Sequence, residues 1–181
     1  MEIRRITEDI WEVENLLSQE EVEHLLSVAK ASEDFFWYSE EQSQDWSGRV
    51  LNAPLAYGQS SKEMDILLKL AEIIENLFIN MTKYVQPYSI LRTRTGEHFP
   101  YHSDSVTDIY NVFGLVFYLN DDYTGGELDY QDLNISVKPK ANSMLIHRAH
   151  LIHGVKEVTN GTRYAVSSFV EGDKTTAIRE S

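Results

Sequence analysis

Four residues of this 181-residue chain have types and spacing suited to metal chemistry: His102, Asp104, His153 and Arg163. His102 and Asp104 fall in His98-Phe99-Pro100-Tyr101-His102-Ser103-Asp104. In an extended strand, residues two apart project from one face, so this segment offers an imidazole and a carboxylate to a common point. His153, in Leu151-Ile152-His153-Gly154-Val155, can supply a third ligand. Two histidines and one carboxylate on one side of an ion leave positions open opposite, a donor set suited to non-haem Fe(II). Arg163 follows His153 by ten positions (163 − 153) and can hold the far carboxylate of a dicarboxylate cosubstrate. Its planar fork grips a carboxylate through two parallel hydrogen bonds. In Thr162-Arg163-Tyr164-Ala165-Val166-Ser167 a strand places 163, 165 and 167 on one face, so Ser167 joins Arg163 in the same slot.

An ion held this way has room for a bidentate 2-oxo acid and for O2. Together these couple oxidative decarboxylation, to succinate and CO2 if the acid is 2-oxoglutarate, to oxidation of a second substrate. The protein then contributes ligand geometry, substrate positioning and a dry pocket. Other histidines compete for the ion. His98 shares the face of His102 but lies about 13 Å away along a strand, too far for the same ion. His147 and His150 flank His153, and proximity alone excludes neither. The step to Arg163 and the following Gly154-Val155 favour His153. His147, at the end of the expected strand Ser143-Met144-Leu145-Ile146, is left as a supporting or substrate-facing residue, and His24 as structural.

The elements that must position these groups change character along the chain. Ser18-Gln19-Glu20-Glu21 has the form of a capping box, and Val22, Leu25, Leu26 and Ala29 follow at helical spacing, predicting a helix over 18–30. A second box, Ser60-Ser61-Lys62-Glu63, opens a helix whose stripe runs through Met64, Leu67, Leu68, Ala71, Ile74, Leu77, Phe78 and Met81 and which stops before Pro87. Between them, residues 33–58 form an aromatic-rich excursion, read as a possible substrate lid or as rings packed over a sheet end. Beyond residue 85, strands are expected near 87–94, 98–103, 111–119, 126–130, 134–138, 142–147, 153–158 and 162–170, with a glycine turn at Gly125-Gly126. The fold expectation is mainly β with α: a double-stranded β-helix, or cupin-like jelly roll, with N-terminal helices packed on one sheet. One domain spans 1–181, with 1–85 as helical support and possible lid and 86–171 as the jelly-roll core.

Composition narrows the classes. The chain has no cysteine, which removes disulfides, thiolate metal sites and cysteine nucleophiles. A formal net charge of −13 argues against a nucleic-acid partner, since such a field repels phosphate backbones. No signal-peptide-like start and no spanning apolar run are present, so the expectation is a cytoplasmic protein without a membrane partner.

Read in order, Gly96-Glu97-His98-Phe99-Pro100-Tyr101-His102-Ser103-Asp104, Tyr118-Leu119-Asn120-Asp121-Asp122-Tyr123-Thr124-Gly125-Gly126-Glu127-Leu128, Val137-Lys138-Pro139-Lys140, His153-Gly154-Val155 and Gly161-Thr162-Arg163-Tyr164 resemble the 2-oxoglutarate/Fe(II)-dependent dioxygenases over about 86–171. The likeness is greatest to the prolyl 4-hydroxylase branch. The resemblance implies His102, Asp104 and His153 as catalytic Fe(II) ligands, Arg163 on the C5 carboxylate of 2-oxoglutarate, O2 as oxidant and ascorbate as stimulant. It also implies hydroxylation of an unactivated carbon, with a prolyl residue in a peptide or protein as leading substrate and a free amino acid or small metabolite as the alternative. Tyr101, Trp37, Trp46 and Arg49 are candidates for the substrate mouth. Two positions depart from the branch: Thr93 where it often carries a tyrosine, and Gly114 where it often carries a threonine that helps hold 2-oxoglutarate. A catalytically inactive jelly-roll binding module and a Zn(II) hydrolase with the same ligands are the competing readings. Neither has a use for Arg163 and its slot.

Overall fold

The structure is a computed structural model, and it describes residues 1–32, 49–52, 62–105 and 111–179. Along the chain run β1 (Glu2–Arg5), β2 (Ile10–Glu14), α1 (Gln19–Ala31), β3 (Arg49–Asn52), α2 (Lys62–Leu77), β4 (Phe78–Ile79) and β5 (Lys83–Arg94). They are followed by β6 (Phe99–His102), β7 (Asn111–Tyr118), β8 (Thr124–Gly125), β9 (Leu128–Tyr130), β10 (Ile135–Val137) and β11 (Ser143–Arg148). The chain closes with β12 (His153–Val155), β13 (Val158–Asn160), β14 (Thr162–Glu171) and β15 (Ala177–Ile178). Seven strands form one antiparallel sheet in the order β1-β2-β11-β7-β14-β5-β3, and four form a second in the order β10-β9-β12-β6. This is the two-sheet arrangement of a double-stranded β-helix.

Strand alternation sorts the apolar residues into two layers. Phe113, Leu115 and Phe117 of β7, Met144 and Ile146 of β11, and Tyr164 and Val166 of β14 share one core with the buried stripes of α1 and α2. Their neighbours Val116, Tyr118, Leu145 and Ala165 point the other way and pack with Phe99, Leu128, Tyr130 and Val155 of the smaller sheet. The first layer fastens the large sheet to the helices. The second closes the space in which the site lies.

The Ser18 capping box forms as expected, with the Ser18 side chain accepting from the Glu21 amide and the Glu21 carboxylate accepting from the Ser18 amide. The second helix ends at Leu77, ten residues short of Pro87 (87 − 77). Phe78–Ile79 leave it to pair with β15, and Asn80, at φ 53°, turns the chain. Within α2 the buried face is Ile66, Leu67, Leu70, Ala71, Ile74 and Leu77, whereas Leu68, expected on the stripe, is exposed.

The N-terminal region is more than helical support. β1 and β2 extend the large sheet, with Trp11 opposite Ile146 and Val13 opposite Met144. Ile10 faces the inner core while Trp11 and Val13 face the helices, so this segment earns its place by burying both faces. Backbone 49–52, expected within the excursion, is a strand on the opposite edge of the same sheet, paired with β5. Among the described residues no helix is long and apolar enough to cross a membrane.

Candidate metal and cosubstrate site

β6 and β12 lie side by side in the smaller sheet with His102 opposite His153, which brings together residues 51 positions apart (153 − 102). Asp104 follows β6 directly, its amide donating to the Ala149 carbonyl. One donor atom from each of His102, Asp104 and His153 lies within 4.8 Å of the other two. Asp104 Oδ1 is 3.5 Å from His102 Nε2, and Oδ2 is 3.6 Å from His153 Nε2. Both rings are held the same way: His102 Nδ1 donates to the Pro100 carbonyl at 2.9 Å and His153 Nδ1 to the Leu151 carbonyl at 3.0 Å. That bond places a proton on Nδ1 and aims each Nε2 at the carboxylate, where a metal would take the place of the Nε2 proton that His102 gives to Asp104 in its absence.

The electrostatics agree. Burial opposes charge on Asp104, but hydrogen bonds from His102 and His147 outweigh it and hold the carboxyl well below its usual range. His153 is pushed down to about 3, by burial first and then by the neighbouring His147, so it is neutral at pH 7. His102 moves the other way, its burial outweighed by its hydrogen bonds to Asp104 and the Pro100 carbonyl. A permanent carboxylate between two imidazoles that share the proton demand suits a divalent cation.

Arg163 lies on the inner face of β14, fully buried, opposite Thr93 of β5. Its Nε, Nη1 and Nη2 have no hydrogen-bond partner among the described residues, and Thr93 Oγ1, Tyr118 OH and Tyr123 OH are buried in the same condition. The Tyr118 ring stands beside the guanidinium at 4.9 Å. Burying a cation unpaired costs on the order of several kcal/mol, so this arrangement fits a site completed by an anion. A cavity of about 100 Å³ is lined by His102, Asp104 and His153 together with Arg163 and Ser167, and by apolar Phe99, Leu128 and Val155. The residues present therefore fit both groups: a metal at one end and a carboxylate at the other.

The remaining candidates fall elsewhere. Tyr101, adjacent to His102 in the strand, projects to the opposite, outer face, where its hydroxyl donates to Asp129 at 2.5 Å. It is not among the residues that line the cavity. Trp37 and Trp46 lie outside the described residues, as does the side chain of Arg49 and with them the lid reading of 33–58. His150 is exposed, and His24 sits on α1 at 3.2 Å from Glu63 of α2, a contact between helices. His147 is wholly buried and donates from Nε2 to Asp104 Oδ2 at 3.1 Å. Tyr130, whose hydroxyl meets His147 Nδ1 at 3.2 Å, had no mark in the sequence beyond alternation in Leu128-Asp129-Tyr130.

Residues 88–171 match the description of the 2OG-Fe(II) oxygenase superfamily. Over those residues the chain is similar to that superfamily. A PKHD-type hydroxylase of Shewanella sp. (strain MR-7) is 29% identical over 178 residues, covering 88% of this chain and 77% of that protein. A PKHD-type hydroxylase of Prochlorococcus marinus (strain NATL2A) is 25% identical over 171 residues, covering 87% and 76%. Among solved structures, the Pseudomonas putida prolyl-4-hydroxylase superposes with a TM-score of 0.69 at 15% identity, over 92% of this chain and 94% of that one. A Trichoplax adhaerens prolyl hydroxylase, bound to a hypoxia inducible factor oxygen degradation domain peptide fragment, gives 0.73 at 14% identity, over 93% and 86%. The chain thus has the double-stranded β-helix fold and is similar to the prolyl hydroxylase-like dioxygenases. That superfamily uses Fe(II), 2-oxoglutarate and O2, and the His-Asp-His triad is present here.

Proposed function

We propose that the protein hydroxylates an unactivated carbon of a prolyl residue in a peptide or protein, consuming 2-oxoglutarate and O2 and releasing succinate and CO2. The observation that carries this reading is the buried, unpartnered Arg163 guanidinium in the cavity that His102, Asp104 and His153 also line. A binding module has no reason to bury an unpaired cation beside three metal-type donors, and a hydrolase has no use for it. Support for a prolyl substrate comes from the PKHD-type hydroxylases at 25–29% identity and from the prolyl hydroxylases that share the fold.

In this reading His102, Asp104 and His153 are the metal ligands, their Nε2 atoms aimed by the Pro100 and Leu151 carbonyls. Arg163 takes the C5 carboxylate of 2-oxoglutarate in a two-bond grip, and Ser167 lines the same slot. Phe99, Leu128 and Val155 keep the cavity apolar, which strengthens the ion pair and limits water at the reacting end. Fe(II), when bound, supplies the oxygen activation that links loss of CO2 from the 2-oxo acid to oxidation of the prolyl carbon. Ascorbate keeps the iron reduced after turnovers that miss the substrate.

The test is an anaerobic titration with Fe(II) and then 2-oxoglutarate, followed by O2 and proline-containing peptides. A visible metal-to-ligand charge-transfer band that saturates, then succinate release matched by gain of one oxygen atom at proline, is the expected result. A folded, iron-loaded protein with no band would falsify the cosubstrate site. A band with succinate but no oxidised proline would move the substrate to a free amino acid or small metabolite.

A further inference from the structure

We propose that His147 is a positioning residue for the Asp104 carboxylate, and that Gly114 is the vacancy that lets it act. This rests on the metal-site reading above. Gly114 of β7 and His147 of β11 are directly opposite in the ladder between the two strands. A Cβ at Gly114 would overlap Asp104 Oδ2 and lie 2.5 Å from His147 Nε2. The imidazole therefore crosses the face of the sheet at the one position with no side chain, and meets Asp104 there at 3.1 Å.

The direction of the hydrogen bonds decides what His147 does. The Asp104 carboxylate can only accept, and in a neutral ring this leaves His147 Nδ1 to accept from the buried Tyr130 hydroxyl at 3.2 Å. Nδ1 thus accepts, the proton sits on Nε2, and Nε2–H donates to Asp104 Oδ2. A nitrogen that carries a proton toward the carboxylate has no lone pair there for a metal, although it is closer to Asp104 than either proposed histidine ligand. One carboxylate oxygen is held by this bond, which fixes the rotation of the carboxylate and presents Oδ1 toward His102. Tyr130, His147 and Asp104 form a chain that crosses from the small sheet to the large one, so ligand geometry is tied to how the two sheets are seated. None of this uses the cavity floor: His147 is not among the residues lining it.

The experiment compares His147→Gln, His147→Phe and Tyr130→Phe with the wild type, reading the anaerobic Co(II) affinity, the Co(II) d–d spectrum and the Tm of the metal-free protein. Gln can place an amide N–H near the Nε2 position; Phe fills the volume without a donor. Loss of a hydrogen-bond partner that orients a ligand typically weakens metal binding about 10–100-fold. The expected result is a loss of that size in His147→Phe, binding within a few-fold of wild type in His147→Gln, and an intermediate loss in Tyr130→Phe. The spectrum of the Gln variant stays that of wild type. Equal Co(II) affinity in wild type and a folded His147→Phe overturns the positioning role; should the Phe variant not fold, wild-type affinity in Tyr130→Phe together with a lowered Tm in both Tyr130→Phe and His147→Gln does so. A Gln variant with an altered spectrum and weak binding makes His147 a ligand and also overturns it. Failure of the wild type to bind Co(II) is a different outcome, because it removes the metal site itself.

Discussion

Thr93 and Arg163 face each other across the ladder of β5 and β14, and among the described residues the hydroxyl of one and all three guanidinium nitrogens of the other are buried without a well-formed hydrogen bond, the guanidinium having only the Tyr118 and Tyr123 hydroxyls beside it. Such a pair is a cost that the folded chain carries until an anion arrives. The ladder leaves no room to swing Arg163 to solvent, since its backbone is paired and its side chain is fully enclosed.

Arg163→Met should therefore separate stability from binding. Removing an unpaired buried charge stabilises the ligand-free protein by at least about 1 kcal/mol, which for a chain of this length is roughly 2–4 °C in Tm. The same change removes two charge-assisted hydrogen bonds worth about 1.5–3 kcal/mol each, so 2-oxoglutarate should bind about 100-fold or more weakly. Differential scanning calorimetry and isothermal titration of Mn(II)-loaded protein read the two effects. A lower Tm combined with unchanged affinity would mean that Arg163 is structural.

Metal binding should appear as linked stability. An ion present at 100 times its Kd contributes about 2.7 kcal/mol to the folded state. Anaerobic Fe(II) or Mn(II) should raise the wild-type Tm by roughly 5–10 °C, and EDTA should reverse the rise. In Asp104→Asn the increment should shrink or vanish, because the permanent charge between His102 and His153 is gone. An undiminished shift in that variant places the ion elsewhere.

Much of this site was legible because its spacing is local. His102 and Asp104 are two apart in an extended segment, and both ends of the ten-residue step from His153 to Arg163 reach the wall of one cavity. What stayed hidden was decided by pairing between distant segments. Ile10-Trp11-Glu12-Val13 gains its partner from residues about 135 positions away, as in Trp11 opposite Ile146 (146 − 11), and by itself is too short to announce a strand. Gly114 read as a missing side chain and His147 as an ambiguous donor; only the register of β7 against β11 makes them one feature. Tyr101, adjacent to His102 in the strand, takes the opposite face and bonds Asp129 there.

Gly114→Ala tests that register directly. A single methyl group would collide with Asp104 Oδ2 and His147 Nε2 together, and neither is the loose end of a flexible chain. Overpacking of this kind costs typically about 1–3 kcal/mol. The Tm should fall, and Co(II) affinity should fall with it in the molecules that remain folded. Wild-type values for both would show that the carboxylate and the imidazole can move aside.

Acidification should weaken the metal-free protein in a way that His153 dominates. Its folded value is pushed down to about 3, by burial and then by His147, whereas an unfolded histidine titrates near its ordinary 6.5. Below that ordinary value the unfolded chain takes up a proton that the folded one refuses, so stability is fully present above about pH 6.5 and declines as pH falls toward 3. Asp104, held low in the folded state, adds a further loss only below the ordinary carboxylate range. His102 is raised and works in the opposite sense, but in the window from pH 6 to 5 it is protonated in both states and contributes little slope. The net difference is one proton, or about 1.4 kcal/mol per pH unit. Urea midpoints of the EDTA-treated protein should change little between pH 7 and 6 and fall with that slope from pH 6 to 5, and His153→Ala should flatten the fall. A wild-type midpoint that holds constant to pH 5 would mean that His153 is protonated in the folded state, and with it that its Nε2 is not kept ready for a metal.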